Sequence, residues 1–200
     1  MSGEAGGRAG YHHGALRQAL TQAALELLDE QGLEQVTVRE AARRAGVSPG
    51  APFRHFADRQ ALLDAVADWV LDDYVRWQTA ALADAECHAM RAFGLGFVRY
   101  AIRYPHRFTL ARSRVFTASP TPELRERLFG IEQFLTELIL ADQEAGDLRP
   151  GDPVVVGLAG QALVYGLSQM IVDGYLPADR AEQLAESVID TFGIGIANLG

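Results

Sequence analysis

Between Thr37 and Phe56 the chain reads TVREAARRAGVSPGAPFRHF, and no other stretch restricts the fold so tightly. Thr37 stands where an N-cap belongs, with its hydroxyl oxygen in reach of the Arg39 or Glu40 backbone N–H, and Glu40 occupies the capping-box position. Val38, Ala41, Ala42 and Ala45 recur at helical spacing and give this helix one small apolar face. Gly46 can enter the left-handed region and stop it. Val47 follows as a plug in the turn. Ser48 is placed as the next N-cap and Pro49 at a first helical position, so a second helix is expected through Phe53, Arg54, His55 and Phe56. Two such helices on a tight turn form a unit whose second helix lies in a DNA major groove while the first crosses the backbone. On that reading Arg39 and the helix N-terminus meet one phosphate. Ser48, Pro49, Gly50, Ala51 and Arg54 face the DNA. Pro49, Gly50 and Ala51 have no hydrogen-bonding side chain, so readout falls chiefly on Arg54 and Ser48, with apolar contact to thymine methyls.

The segment VSPGAPFRHFADRQALLDAV resembles the signature of the TetR-type transcriptional repressors. There, Val-Ser-x-x-(Thr or Ala)-x-(Tyr or Phe)-x-(His or Tyr)-Phe precedes a basic residue and a Leu. Val47, Ser48, Ala51, Phe53, His55, Phe56, Arg59 and Leu62 hold those places. The upstream YHHGALRQAL, Tyr11 to Leu20, is similar to the branch whose C-terminal domain carries a Trp-His-Gly motif. The resemblance implies an apolar cavity in the body and adds Phe53, His55 and Arg59 to the DNA-facing set. Phe53 stands where the family often has a phosphate-binding Tyr, and Arg59 stands at the usual Lys, where it can hold a phosphate. Leu163/Val164-Tyr165-Gly166 aligns with the Trp-His-Gly, without its Trp and His.

The net charge of −8 argues against a DNA binder until it is divided. Residues 1–60 hold seven Arg and seven Asp or Glu, so the excess of acid falls on the remainder. A neutral head with clustered Arg can grip DNA while an acidic body repels it. The basic residues are all Arg, a chain-wide replacement that reads as genome composition bias. The one cysteine, Cys87, excludes an internal disulfide and fits a reducing cytoplasm. The opening SGEAGGRAG lacks the apolar stretch of a signal peptide. Gln161, Ser168 and Gln169 interrupt the most apolar run, 154–172, which argues against a membrane span.

The expected organisation is all-α, a three-helix DNA-binding head and a six-helix ligand-binding and dimerisation body. A flexible tail over 1–10 precedes a head over 11–57 and a body over 58–200. Tyr11, His12 and His13 form a short arm. The first helix is expected from about Ala15 to Glu30, burying Leu16, Leu20, Ala23, Ala24, Leu27 and Leu28, and Gly32 ends it. Phe53 and Phe56 are expected to anchor the third helix on the first. Asp58 caps a long fourth helix to about Ala83. Further helices are expected over 85–104, from Pro105, over 122–145, 153–175 and 178–198. The segment 146–153, GDLRPGDP, is the strongest linker. The helix from Pro153 is apolar nearly all round and needs cover on both sides.

In the body, Met90, Phe93, Phe97, Tyr100, Phe108, Phe116, Phe129, Phe134, Tyr165 and Met170 are the candidates for lining an apolar effector pocket. A single head meets too few phosphates, so a homodimer on a palindromic operator is expected. Val164, Leu184, Val188 and Phe192 are the interface candidates. The partners are therefore operator DNA, a second copy and a small apolar or amphipathic effector. No cofactor, metal or membrane is expected. Adjacent His12 and His13, with His88, His106 and Cys87, show no metal-ligand spacing. Gly46-Val47-Ser48-Pro49-Gly50 matches the hydrolase elbow G-x-S-x-G, yet a charged helical segment precedes it where that elbow needs a strand. The rival readings are an all-α protein-interaction module without DNA binding and a hydrolase using Ser48. The Gly94/Gly96 and Gly193/Gly195 pairs read as close helix packing.

Overall fold

The computed structural model describes residues 7–85, 87–115 and 121–196, with the main chain alone at 7–14 and 178. Every regular element among them is helical: α1 (Gly7–Gln31), α2 (Val38–Arg44), α3 (Arg59–Ala83), α4 (Ala89–Arg103), α5 (Pro105–Val115), α6 (Pro122–Ala145), α7 (Pro153–Val172) and α8 (Ala181–Ile196). Short 3-10 turns stand at Leu33–Gln35, Pro52–Arg54 and Ala178–Arg180. The all-α expectation holds, but the expected third helix is the Pro52–Arg54 turn. The main chain is helical from Gly7, so α1 also takes in the segment expected as an arm. Residues 1–6 of the expected tail lie outside the described residues.

Two compact units emerge, Met1–Leu71 with His106–Arg114 and Asp72–Pro105 with Val115–Gly200. This division differs from the expected one after residue 57. The first half of α3 and most of α5 belong with the head.

In the first unit, Leu20, Ala24, Leu27 and Leu28 of α1 are buried with Val38, Ala41 and Ala42 of α2 and Leu62, Leu63, Val66 and Val70 of α3. The α1 stripe is as expected, with Leu25 as an addition to it. Leu110 of α5 is wholly buried in the same cluster. Arg107 explains why α5 belongs here. Its guanidinium donates to Asp29 of α1 at 2.8 and 2.5 Å and lies 5.1 Å from the Trp69 ring centroid. A buried guanidinium needs both a counter-charge and saturated donors, and this one has a bidentate carboxylate.

The second unit packs α4 against α7 and α8. Leu95, Val98, Val164, Leu167, Ala185 and Ile189 form its core. Gly94 and Gly96 permit the close approaches that their spacing predicts. A Cβ on Gly94 would meet Val164 and Ile189, and one on Gly96 would stand 2.0 Å from Gln78 Oε1. The expected close packing at Gly193 and Gly195 is not found among the described residues, where a Cβ at either meets nothing within 4 Å. Arg91 binds Asp190 and Arg99 binds Glu182 and Glu186, stitching α4 to α8. Thr121 and Asp152 cap α6 and α7, each with a Pro just inside the helix. By length and composition α7 could cross a membrane. Here it packs along one side on α4, α6 and α8. Its other side, with Val154, Val155 and Leu158, is open to solvent, so the cover expected on both sides is present on one.

Candidate nucleic-acid interface

The turn after α2 is built as its residue types require. Thr37 Oγ1 accepts from Glu40 N at 3.1 Å and caps the helix. The Glu40 carboxylate does not complete a capping box. It binds Arg43 instead. At the far end Gly46 takes φ 69°, Val47 N donates to Ala42 O at 3.1 Å and Gly46 N to Arg43 O at 3.3 Å. This is the Schellman pattern, in which a left-handed glycine lets the chain double back and satisfy two orphan carbonyls. Val47 then packs on the first core, as expected of a plug.

The chain does not resume a helix at Ser48. Ala51 N donates to Ser48 O at 3.0 Å, Arg54 N to Ala51 O at 3.3 Å and His55 N to Pro52 O at 2.8 Å, all three-residue steps. Pro52 is the cause. It has no N–H to donate back to Ser48 and it stands inside the expected first turn, where Pro49 and Gly50 already weaken the helix. The reading element is thus a compact 3-10 turn. Phe56 is 1% exposed and anchors it, while Phe53 is 51% exposed and does not, which corrects the expected pair. Arg17 of α1, absent from the sequence-based set, holds the turn from below. Its Nη1 donates to His55 O at 2.9 Å and its guanidinium lies 4.6 Å from the Phe56 ring centroid.

Ser48, Pro49, Gly50, Phe53 and Arg54 are exposed beside one another in the chain, with Ala51 and His55 half-buried. The arginines sort by their partners. Arg43 is held by Glu40, and Arg44 by Glu30 at 2.5 Å and Glu26 at 3.8 Å. These ion pairs hold Glu30 and Glu40 below the usual carboxylate range. Arg59, expected at a phosphate, sends Nε to Val36 O and Nη2 to Leu33 O, each at 2.7 Å. It satisfies the carbonyls of the Leu33–Gln35 turn. Arg39 and Arg54 are exposed and take no acid among the described residues. Gly46 to Gly50 follows α2 and not a strand, so Ser48 has no elbow geometry.

Among the described residues, the effector-pocket candidates stand in several surroundings. Phe97 and Tyr100 of α4 stack edgewise on Tyr74, with centroids at 5.9 and 5.3 Å, and Phe93 and Phe134 meet at 6.1 Å. Met90 and Tyr165 are half-buried. Phe108 belongs to the first unit, and Phe129, Phe134 and Met170 are exposed. Phe116 lies outside the described residues. A cavity of about 190 Å³ lies elsewhere in the second unit, against Leu148, Arg149, Pro150, Val156 and Ile196. Within the aromatic stack Gln78 is buried. Its Nε2 donates to Tyr74 Oη and Phe93 O while its Oε1 finds no donor among the described residues. Burial pushes the Tyr74 phenol well up. Of the interface candidates, Val164 is buried in its own chain's core, which removes it from that set. Leu184 and Val188 are half-buried, and Phe192 lies against Gly160.

Residues 20–66 match the family model described as bacterial regulatory proteins, tetR family, and residues 90–192 match the tetracyclin repressor-like C-terminal domain. The tetracycline repressor protein class C of Escherichia coli is 46% identical over 55 residues, covering 28% of this chain and 25% of that protein. The HTH-type transcriptional regulator BetI of Escherichia coli K12 is 35% identical over 80 residues, 40% of this chain and 37% of the relative. The chain thus spans well under half the length of these curated relatives. A solved protein of unknown function from Rhodococcus sp. RHA1 superposes with a TM-score of 0.81 at 29% identity, covering 94% of this chain and 98% of that one. A TetR-family transcriptional regulator from Pectobacterium atrosepticum gives 0.76 at 18% identity, over 95% and 97%.

Proposed function

The chain belongs to the TetR family of bacterial regulatory proteins, and we infer from that membership that it is a DNA-binding transcription regulator. From that premise we propose a repressor that holds a palindromic operator as a homodimer and releases it when a small apolar or amphipathic molecule binds the second unit. The observation that carries the DNA half is the sorting of the arginines. Arg39 and Arg54 stay exposed without an acid among the described residues, one on α2 and one at the end of the Pro52–Arg54 turn, while Arg43 and Arg44 are neutralised within the head. Arg39 serves a phosphate and Arg54 a base edge, the guanidinium matching the two acceptors of guanine. Between them Pro49, Gly50 and Phe53 offer apolar surface to thymine methyls.

The homodimer is supported by the open side of α7. Val154, Val155 and Leu158 are 60 to 67% exposed and Ile194 on α8 is 68% exposed. Two helices from each copy would bury this surface in a four-helix interface. The effector reading rests on the aromatic groups of the second unit and its acidic balance, which make cationic amphiphiles the first compounds to try. The unbroken α3 contributes to both units, so a ligand that prefers one tilt of α3 shifts the operator equilibrium. A coupling of about 1–3 kcal/mol changes operator affinity about 5- to 150-fold. The proposed setting is the cytoplasm, where the operator is.

A gel shift on the DNA upstream of its own gene tests the reading. Wild type retards that duplex, and Arg39→Ala and Arg54→Ala weaken it. If both variants bind like wild type, this surface is not the reader. Thermal-shift screening followed by DNA competition tests the effector. Ligands that raise the melting temperature yet leave operator affinity unchanged would show a body that binds without signalling.

A further inference from the structure

His88 stands at the N-cap of α4, where its imidazole makes no capping hydrogen bond. Asp142 lies in the last turns of α6. The chain reverses there at Gly146, φ 83°, and Asp147 N donates to Asp142 O at 2.9 Å, which brings a second carboxylate back toward the first. His88 Nδ1 lies 3.9 Å from Asp147 Oδ2. One donor atom from each of His88, Asp142 and Asp147 lies within 4.8 Å of the other two. All three residues belong to the second unit.

Their electrostatics differ from those of the acids nearby. Asp190 takes Arg91, Glu182 and Glu186 take Arg99, and Asp72 takes Arg127. Asp142 and Asp147 take no arginine among the described residues. Two carboxylates held this close repel, and the imidazole nitrogen beside them is a further donor that a metal ion can take. One ion satisfies all three groups. Ligands at about 2.0–2.2 Å from a shared tetrahedral ion stand about 3.3–3.6 Å apart, so donor atoms that already lie within 4.8 Å of one another close the set by side-chain rotations that move them about an ångström. One nitrogen and two oxygens with open positions suit a borderline transition-metal ion, whereas magnesium and calcium take all-oxygen sites.

We propose that His88, Asp142 and Asp147 form a site for a divalent transition-metal ion of the zinc class, which ties the start of α4 to the end of α6. The inference stands apart from the DNA reading and holds or fails without it.

The test is calorimetry with zinc chloride on the full-length, untagged, metal-stripped chain, with the unfolding temperature followed in parallel. Wild type binds one zinc ion per chain and its unfolding temperature rises. His88→Ala and Asp147→Asn each weaken binding at least about tenfold and abolish that rise. His106→Ala, at an exposed histidine of the first unit, behaves as wild type. Calcium and magnesium at equal concentration do not displace the zinc. Absence of stoichiometric binding overturns the proposal. So does wild-type affinity in both His88→Ala and Asp147→Asn, or competition by calcium as strong as by zinc, which would mark an unselective acidic surface.

Discussion

Arg59 sets the structure against the family resemblance, because a basic residue at its place is expected on a phosphate. Here Nε and Nη2 are committed to Val36 O and Leu33 O at 2.7 Å. Truncation to Ala removes two charge-assisted bonds at a partly solvated site, a loss of about 1–2 kcal/mol. For a chain of this length that lowers the unfolding temperature by about 2–8 °C. Its effect on DNA is of another kind. Each phosphate contact adds about 0.9 to the slope of log affinity against log salt, and a dimer counts each contact twice. Arg39→Ala should therefore reduce the slope by about 2. Arg59→Ala should leave the slope within about 0.5 of wild type while lowering the unfolding temperature. Arg59→Lys separates the roles further. A single ammonium can hold a phosphate but lacks the planar fork that spans two carbonyls, so it should not restore the unfolding temperature. Fluorescence anisotropy over a range of salt, with calorimetric melting, reads both quantities. A slope lowered by about 2 in Arg59→Ala, with melting unchanged, refutes the reasoning.

Gly46→Ala should destabilise by about 1–2 kcal/mol through its left-handed backbone alone, since a Cβ there meets nothing within 4 Å. Gly96→Ala should lose about 1–3 kcal/mol through overpacking, because its Cβ displaces a Gln78 amide already bonded to Tyr74 and Phe93. Chemical denaturation measures both, and a Gly96→Ala variant as stable as wild type would argue against the α3–α4 contact. Leu158→Arg should sediment as a monomer with its melting little changed, and a persistent dimer would move the interface away from α7. Glu30, held below the usual carboxylate range by Arg44, contributes stability at neutral pH that fades as acid protonates it. The melting difference between wild type and Glu30→Gln should close as pH falls through and below that range, and a difference constant from pH 7 to pH 3 would contradict the ion pair.

The parts of the fold that depend on local chemistry were legible in the chain. Gly32, Thr37, Gly46 and Asp58 each end or begin a helix at the expected place, and helices start at Pro122 and Pro153 as expected, because caps, prolines and left-handed glycines act on neighbours two to five residues away. The α1 stripe was legible for the same reason. Pro52 was a signal within reach, and it decides that a turn replaces the expected third helix. Phe53 and Phe56 could not be ranked from helical spacing, since the turn ends at Arg54 and Phe56 lies beyond it, so the two rings share no helical face. The membership of α5 rests on Arg107 meeting Asp29 across 78 positions, and no local pattern records such a pairing. The same holds for Arg17 beneath the turn and for Asp142 and Asp147 beside His88. The body aromatics were legible as a group, but helical spacing does not say which rings share a core, a stack or a surface.

The central claim is that the surface from Ser48 to Arg54 reads base sequence, and selection from random duplexes followed by anisotropy tests it most directly. The account predicts that wild type enriches a palindromic site and binds it about a thousandfold or more above a scrambled duplex. Arg54→Ala should lose about 5- to 150-fold on the selected site and little on the scrambled one. No enrichment, or a loss of equal size on both duplexes, would contradict it.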